Sequence, residues 1–100
     1  MKLFLIDKNK ISKYILPEEA NETFTVSYSN DLVKCFISFE GKDNKWFLKS
    51  NGNVNVFENN TEKVEAEVKI CAKYDLRIVG YTEPLVAYFY NPAKQCIDLV

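Results

Sequence analysis

Few residues in this 100-residue chain have side chains suited to catalysis. Histidine is absent, which removes Ser–His and Cys–His nucleophile pairs and the commonest ligand of zinc and copper. The conceivable acid–base carboxylates are Glu18 with Glu19, or Asp75 with Glu83. Neither pair lies beside a motif that would raise a pKa, so both read as loop and surface charge. No glycine-rich phosphate loop, dinucleotide fingerprint or metal-spaced cluster occurs. The expectation is a protein without catalysis, cofactor or metal. What remains is hydrogen-bonding chemistry. The run Ser50-Asn51-Gly52-Asn53, followed at one remove by Asn55, gathers amide side chains that can bond a peptide backbone. The same residues make turns, and the structural role is the stronger expectation.

Charge and cysteine usage narrow the partner. Thirteen basic residues face fourteen acidic ones, for a net charge of −1, whereas a nucleic-acid binder shows a basic stripe. The nearest approach is Lys2, Lys8, Lys10 and Lys13, which read as edge-strand lysines that deter sheet-to-sheet association. The aromatics of "GYTEPLVAYFY" could stack bases, but their neighbours are Glu83, Leu85 and Val86, so core packing is the better reading. Cys35, Cys71 and Cys96 are odd in number and widely spaced. Each sits in an apolar run as a small hydrophobe, and together they argue for a reducing, cytoplasmic setting. The opening "MKLFLIDKNK" does not read as a signal peptide, and no apolar run is long enough to span a membrane.

The elements that would position these side chains are strands. "KLFLID" and "SKYIL" suggest an opening hairpin. "PEEANE" reads as a polar loop with room for one helical turn. "TFTVSYS" alternates, with Phe24, Val26 and Tyr28 on one face. "LVKCFISFE" and "KWFLK" flank the turn "GKDN" and form a hairpin over Leu32 to Lys49. "SNGN" reads as another tight turn, with Asn-Gly supplying positive φ, before the short strand "VNVF". "KVEAEVKICA" (Lys63 to Ala72) steps its apolar residues by two and reads as one strand in preference to a helix. "LRIVG" and "LVAYFY" follow. The sum is an all-β domain over residues 1–100, with about nine to eleven short strands in an antiparallel sandwich or barrel. Residues 91–100 are the expected start of a link to a following domain.

The order of these pieces resembles the second half of a forkhead-associated (FHA) domain. In that family a strand with Trp-x-apolar leads to a Ser-x-Asn-Gly-type loop, a short valine strand, a small turn, a segment ending in Gly-Asp and an Ile-x-Ile-Gly strand. Trp46 to Leu48, Ser50-Asn51-Gly52, Val54 to Phe57, Tyr74-Asp75 and Leu76-x-Ile78-x-Gly80 fall in that order. The stretch "LRIVGYTEPLVAYFYNP" is also similar to the end of the first FHA-like domain of the large membrane ATPase of Gram-positive type VII secretion systems. The resemblance implies an FHA-like sandwich and a protein-docking role on the cytosolic side of a larger membrane-anchored chain. It also shows departures. Where phosphothreonine readers carry Gly-Arg, this chain has "VSYSNDL"; where they carry Ser-x-x-His, it has "NDLVKCFIS". Phosphate recognition favours a bidentate donor, and the only arginine, Arg77, falls in a predicted strand distant from those loops. The resemblance thus implies a degenerate, phosphate-independent module. Its candidate partner-binding residues are Ser29, Asn30 and Lys34 in one loop, and Ser50, Asn51, Gly52, Asn53 and Asn55 in the other. The alternatives are a phosphopeptide reader that uses Lys34 and Lys49, and a small β-barrel that binds nucleic acid.

Overall fold

Residues that alternate in the sequence become strands with one buried face. The computed structural model describes residues 1–8 and 10–91. Its strands are β1 (Lys2–Asp7), β2 (Lys10–Ile15), β3 (Thr23–Ser29), β4 (Lys34–Lys42), β5 (Lys45–Lys49), β6 (Val54–Glu58), β7 (Thr61–Lys63), β8 (Glu65–Glu67), β9 (Lys73–Ile78) and β10 (Leu85–Tyr90). There is no helix among the described residues, so the turn allowed for in "PEEANE" does not form; that segment is an irregular link between sheets. The expected link over residues 91–100 lies, beyond Asn91, outside the described residues.

Two antiparallel sheets face each other. The larger has six strands in the order β2-β1-β10-β9-β6-β7, and the smaller has four in the order β3-β4-β5-β8. Between them lie Leu3 and Leu5 of β1, Val26 and Tyr28 of β3, Ile37 and Phe39 of β4, Leu48 of β5, Val54 and Val56 of β6, Leu76 of β9 and Phe89 of β10. Aromatic edges lock the layers together, with Phe39 and Tyr74 each meeting Phe89 edge-on at 6.0 and 5.6 Å between ring centres.

Two hairpins turn on non-glycine residues. Asp43 and Asn44 (φ 52° and 59°) close β4–β5, and Asn59 and Asn60 (φ 52° and 66°) close β6–β7. Two consecutive positive φ values give the tight turn whose twist matches the flanking strands. Gly41, read as a turn residue, instead lies inside β4. A Cβ there would sit 2.3 Å from the Ala20 carbonyl carbon, so the β2–β3 link can cross β4 only over a glycine.

Three sequence expectations change in this frame. "SNGN" is no hairpin turn, because β5 and β6 belong to different sheets, and Gly52 does not have positive φ. "KVEAEVKICA" is not one strand. Lys63 ends β7 in one sheet, Glu65 begins β8 in the other, and Val64 at the crossing is 80% exposed. Of the cysteines, Cys35 is a free buried thiol, whereas Cys71 is disulfide-bonded. The reading of every cysteine as a free small hydrophobe therefore fails at Cys71. No helix among the described residues is long and apolar enough to cross a membrane.

Candidate functional site

One end of the sandwich collects the links β1–β2, β3–β4, β5–β6 and β9–β10, and both candidate loops lie there. The two loops share one construction. In the β3–β4 link the Asn30 amide donates to the Val33 carbonyl at 2.9 Å, while Asn30 Oδ1 accepts from the amides of Leu32 and Val33 at 2.8 and 2.9 Å. In the β5–β6 link the Asn51 amide donates to the Val54 carbonyl at 2.9 Å, and Asn51 Oδ1 accepts from the amides of Asn53 and Val54 at 2.8 and 2.9 Å. An asparagine oxygen thus replaces backbone partners for two successive N–H groups, which is why the residue type is needed there. The shared spelling is Asn-x-x-Val in both loops.

The remaining donors of these asparagines tie each loop to a strand. Asn51 Nδ2 donates to the Phe36 carbonyl and to Ser38 Oγ on β4, at 2.9 and 3.1 Å. Asn30 Nδ2 donates to Asp7 Oδ2 at 2.8 Å. Ser50 Oγ donates to the Lys63 carbonyl at 2.7 Å and accepts from the Val56 amide at 2.9 Å. Asn30, Ser50 and Asn51 are therefore committed inside the fold. Ser29, Lys34, Gly52 and Asn53 are exposed, and Asn55 is partly so. Asn53 contributes its carbonyl to the Val79 amide at 2.9 Å, which joins the asparagine loop to the β9–β10 link.

The centre of this end is a residue that the loop motifs did not single out. Asp7 is 9% exposed and accepts from the Tyr28 hydroxyl at 2.6 Å, from Asn30, from the Lys8 amide at 2.6 Å and from the Tyr81 hydroxyl at 2.8 and 2.9 Å. One carboxylate thereby clasps three links. The Tyr28 hydroxyl holds its pKa down at about 2, against the opposing push of burial, and Asn30, Tyr81 and the Lys8 amide add to the lowering. Burial and the Asp7 carboxylate in turn push the Tyr28 phenol up to about 12. A sequence signal for Asp7 did exist. Leu3, Leu5 and Asp7 share one face of "KLFLID", so alternation alone sends the carboxylate inward.

Beside the clasp an open cleft of about 470 Å³ is lined by Asp7, Lys10, Asn30, Asp31, Leu32 and Tyr81. Its cation, Lys10, donates to the Ser29 carbonyl at 3.0 Å. Lys49 pairs with Glu40 at 2.6 Å on the outer face of the small sheet, and Lys34 is exposed at the start of β4. Arg77 lies on β9. It pairs with Asn55 in the β6–β9 register, and its guanidinium lies over the Phe57 ring at 4.6 Å. A shallow pocket there is completed by Tyr81, Thr82, Glu83 and Pro84. Among the described residues no group of three or more histidine, cysteine, aspartate or glutamate side chains is placed to hold a metal ion. No protein-family model, curated protein or solved structure matches the chain.

Proposed function

We propose that the chain is a non-catalytic protein-interaction module of FHA-like type, docking its partner through the loop end without reading phosphate. The observation that carries this reading is the clasp. Among the described residues the one buried charge at that end is the carboxylate of Asp7, with Asp31 beside it on the cleft wall. A phosphoryl group entering there would meet the carboxylates of Asp7 and Asp31, while Lys10 already donates to the Ser29 carbonyl and the side-chain donors of Asn30 and Asn51 are spent on the fold. The FHA-like reading is supported by the placement of its pieces: Trp46 and Leu48 on β5, Ser50 to Asn53 in the loop that changes sheets, Val54 to Phe57 on β6, and Leu76 and Ile78 on β9. The similarity of "LRIVGYTEPLVAYFY" to the type VII secretion ATPase supports a docking role within a larger membrane-anchored assembly.

A phosphothreonine peptide array tests the reading. The expected result is no phosphate-dependent binding; a micromolar site abolished by phosphatase treatment of the peptides overturns it. The position of Arg77 beside Asn55 favours one second reading, a phosphopeptide site on the outer face of the large sheet. In that case Arg77→Ala would abolish peptide binding and Lys34→Glu would leave it unchanged.

A further inference from the structure

The β2 edge carries a separate feature, independent of the loop end. Met1 accepts a hydrogen bond from the Leu16 amide at 2.9 Å. Counting along the β1–β2 register from that bonded pair, Leu3↔Tyr14, Leu5↔Ser12 and Asp7↔Lys10 are hydrogen-bonded pairs, and Lys2↔Ile15, Phe4↔Lys13 and Ile6↔Ile11 are not. The N–H and C=O groups of Ile11, Lys13 and Ile15 therefore point away from β1, along the edge of the large sheet, where no strand among the described residues pairs with them. The same three residues turn their side chains to the outer face, where Ile11 is 68% and Ile15 69% exposed.

Exposed isoleucines on an edge strand are an association hazard, and this edge is guarded selectively. A second copy pairing antiparallel about Lys13 would set Ile11 against Ile15, which is favourable, but Lys13 against Lys13, which is not. Lys2, beside Ile15 on β1, adds a second positive charge to the same face. The outward residues of β1, β2 and β10 are Lys2, Phe4, Ile6, Ile11, Lys13, Ile15, Val86, Tyr88 and Tyr90, with no carboxylate among them. The edge repels itself and fits a strand whose charge is opposite.

We propose that β2 is a docking edge for an extended segment of a partner protein with the pattern apolar-x-acidic-x-apolar. The segment adds as a new edge strand of the large sheet. Its backbone pairs with Ile11, Lys13 and Ile15, its two apolar side chains cover the isoleucines, and its carboxylate meets Lys13.

The test uses the whole chain with two soluble peptides, valine–threonine–glutamate–threonine–valine between polar flanks and its lysine-centred counterpart. Amide hydrogen exchange read by NMR is expected to slow at Ile11, Lys13 and Ile15 with the glutamate peptide. The lysine peptide is expected to bind about three- to tenfold more weakly. Lys13→Glu, at an exposed position that leaves the core intact, is expected to reverse that preference. Equal affinity for the two peptides, protection away from β2, or an unchanged preference in Lys13→Glu would overturn the proposal. So would binding of the free chain to phosphatidylserine vesicles through the same residues, or self-association in sedimentation that Lys13→Glu abolishes. Loss of binding here leaves the loop-end reading intact, because none of its residues is touched.

Discussion

The Asp7 clasp predicts a specific acid sensitivity. Its folded pKa, about 2, lies below the ordinary 3.8, so the folded state binds its proton less readily than the unfolded chain. The contribution is fully present above about pH 4 and disappears as the pH falls towards 2. The depression corresponds to roughly 2 kcal/mol. The site lies beside an open cleft, so solvent screening trims this to roughly 1–2 kcal/mol. Urea unfolding at pH 7 and at pH 2.5, for the native chain and for Asp7→Asn, isolates it. The other carboxylates titrate in both proteins, so the difference between their two pH responses belongs to Asp7. The native chain is expected to lose about 1–2 kcal/mol more than the variant on acidification. Tyr81→Phe keeps the charge and the Tyr28 bond but removes one donor, and is expected to show an intermediate pH response. Identical pH responses in all three proteins would refute the clasp as the origin of acid sensitivity.

Other substitutions separate structural from exposed positions at the same end. Gly41→Ala drives a methyl group into the Ala20–Asn21 backbone and is expected to destabilise by about 3 kcal/mol, read by denaturant midpoint. Gly52→Ala meets open space within 4 Å and needs no positive φ; its stability is expected to stay within about 0.5 kcal/mol of the native chain. Asn51→Ala strips two backbone amides of their acceptor and frees the tie to β4, at a cost of about 1–3 kcal/mol, whereas Asn53→Ala, which removes no side-chain bond, is expected to be near neutral by the same measurement. Tyr88→Phe removes a buried hydroxyl that has no partner among the described residues and is expected to raise thermal stability slightly, where a loss would reveal a bond to that oxygen.

Strands were legible wherever alternation was long enough to have a phase. "TFTVSYS" became β3 with its bounds intact, and "LVAYFY" became β10. The reading failed where the chain changes sheets. A period of two cannot show that Val64 is a crossing point, because the alternation continues through it while the partner strand is replaced. The same failure hid the nature of "SNGN". Asn-Gly is the strongest local sign of a hairpin, yet the tight turns fall on Asp43-Asn44 and Asn59-Asn60, and the Asn51 loop is held by side-chain bonds to a strand thirteen to fifteen residues away. The neighbourhood of Arg77 was hidden for a related reason. Its distance from Asn55 in sequence is large, and only the β6–β9 register brings the two side by side.

These errors share a cause that bears on function. Local patterns report which residues face inward, while a binding surface is set by which loops and edges the topology brings together. The candidate asparagines illustrate this. By composition Asn30 and Asn51 are the residues most suited to grip a ligand, and their geometry spends both amide groups on the fold. Under the proposed docking role the loop would present the surface it holds in place: the Asn53 side chain, the exposed Leu32 and Val79, and the mouth of the cleft. Loops held by such bonds lose little ordering entropy on binding, so under the proposed docking role affinity at this end would depend on shape fit to a preformed surface. Substitutions at Asn30 and Asn51 should therefore weaken binding and lower stability together, whereas Leu32→Ser should weaken binding alone. A Leu32→Ser variant that kept full partner affinity would move the docking surface away from the loop end.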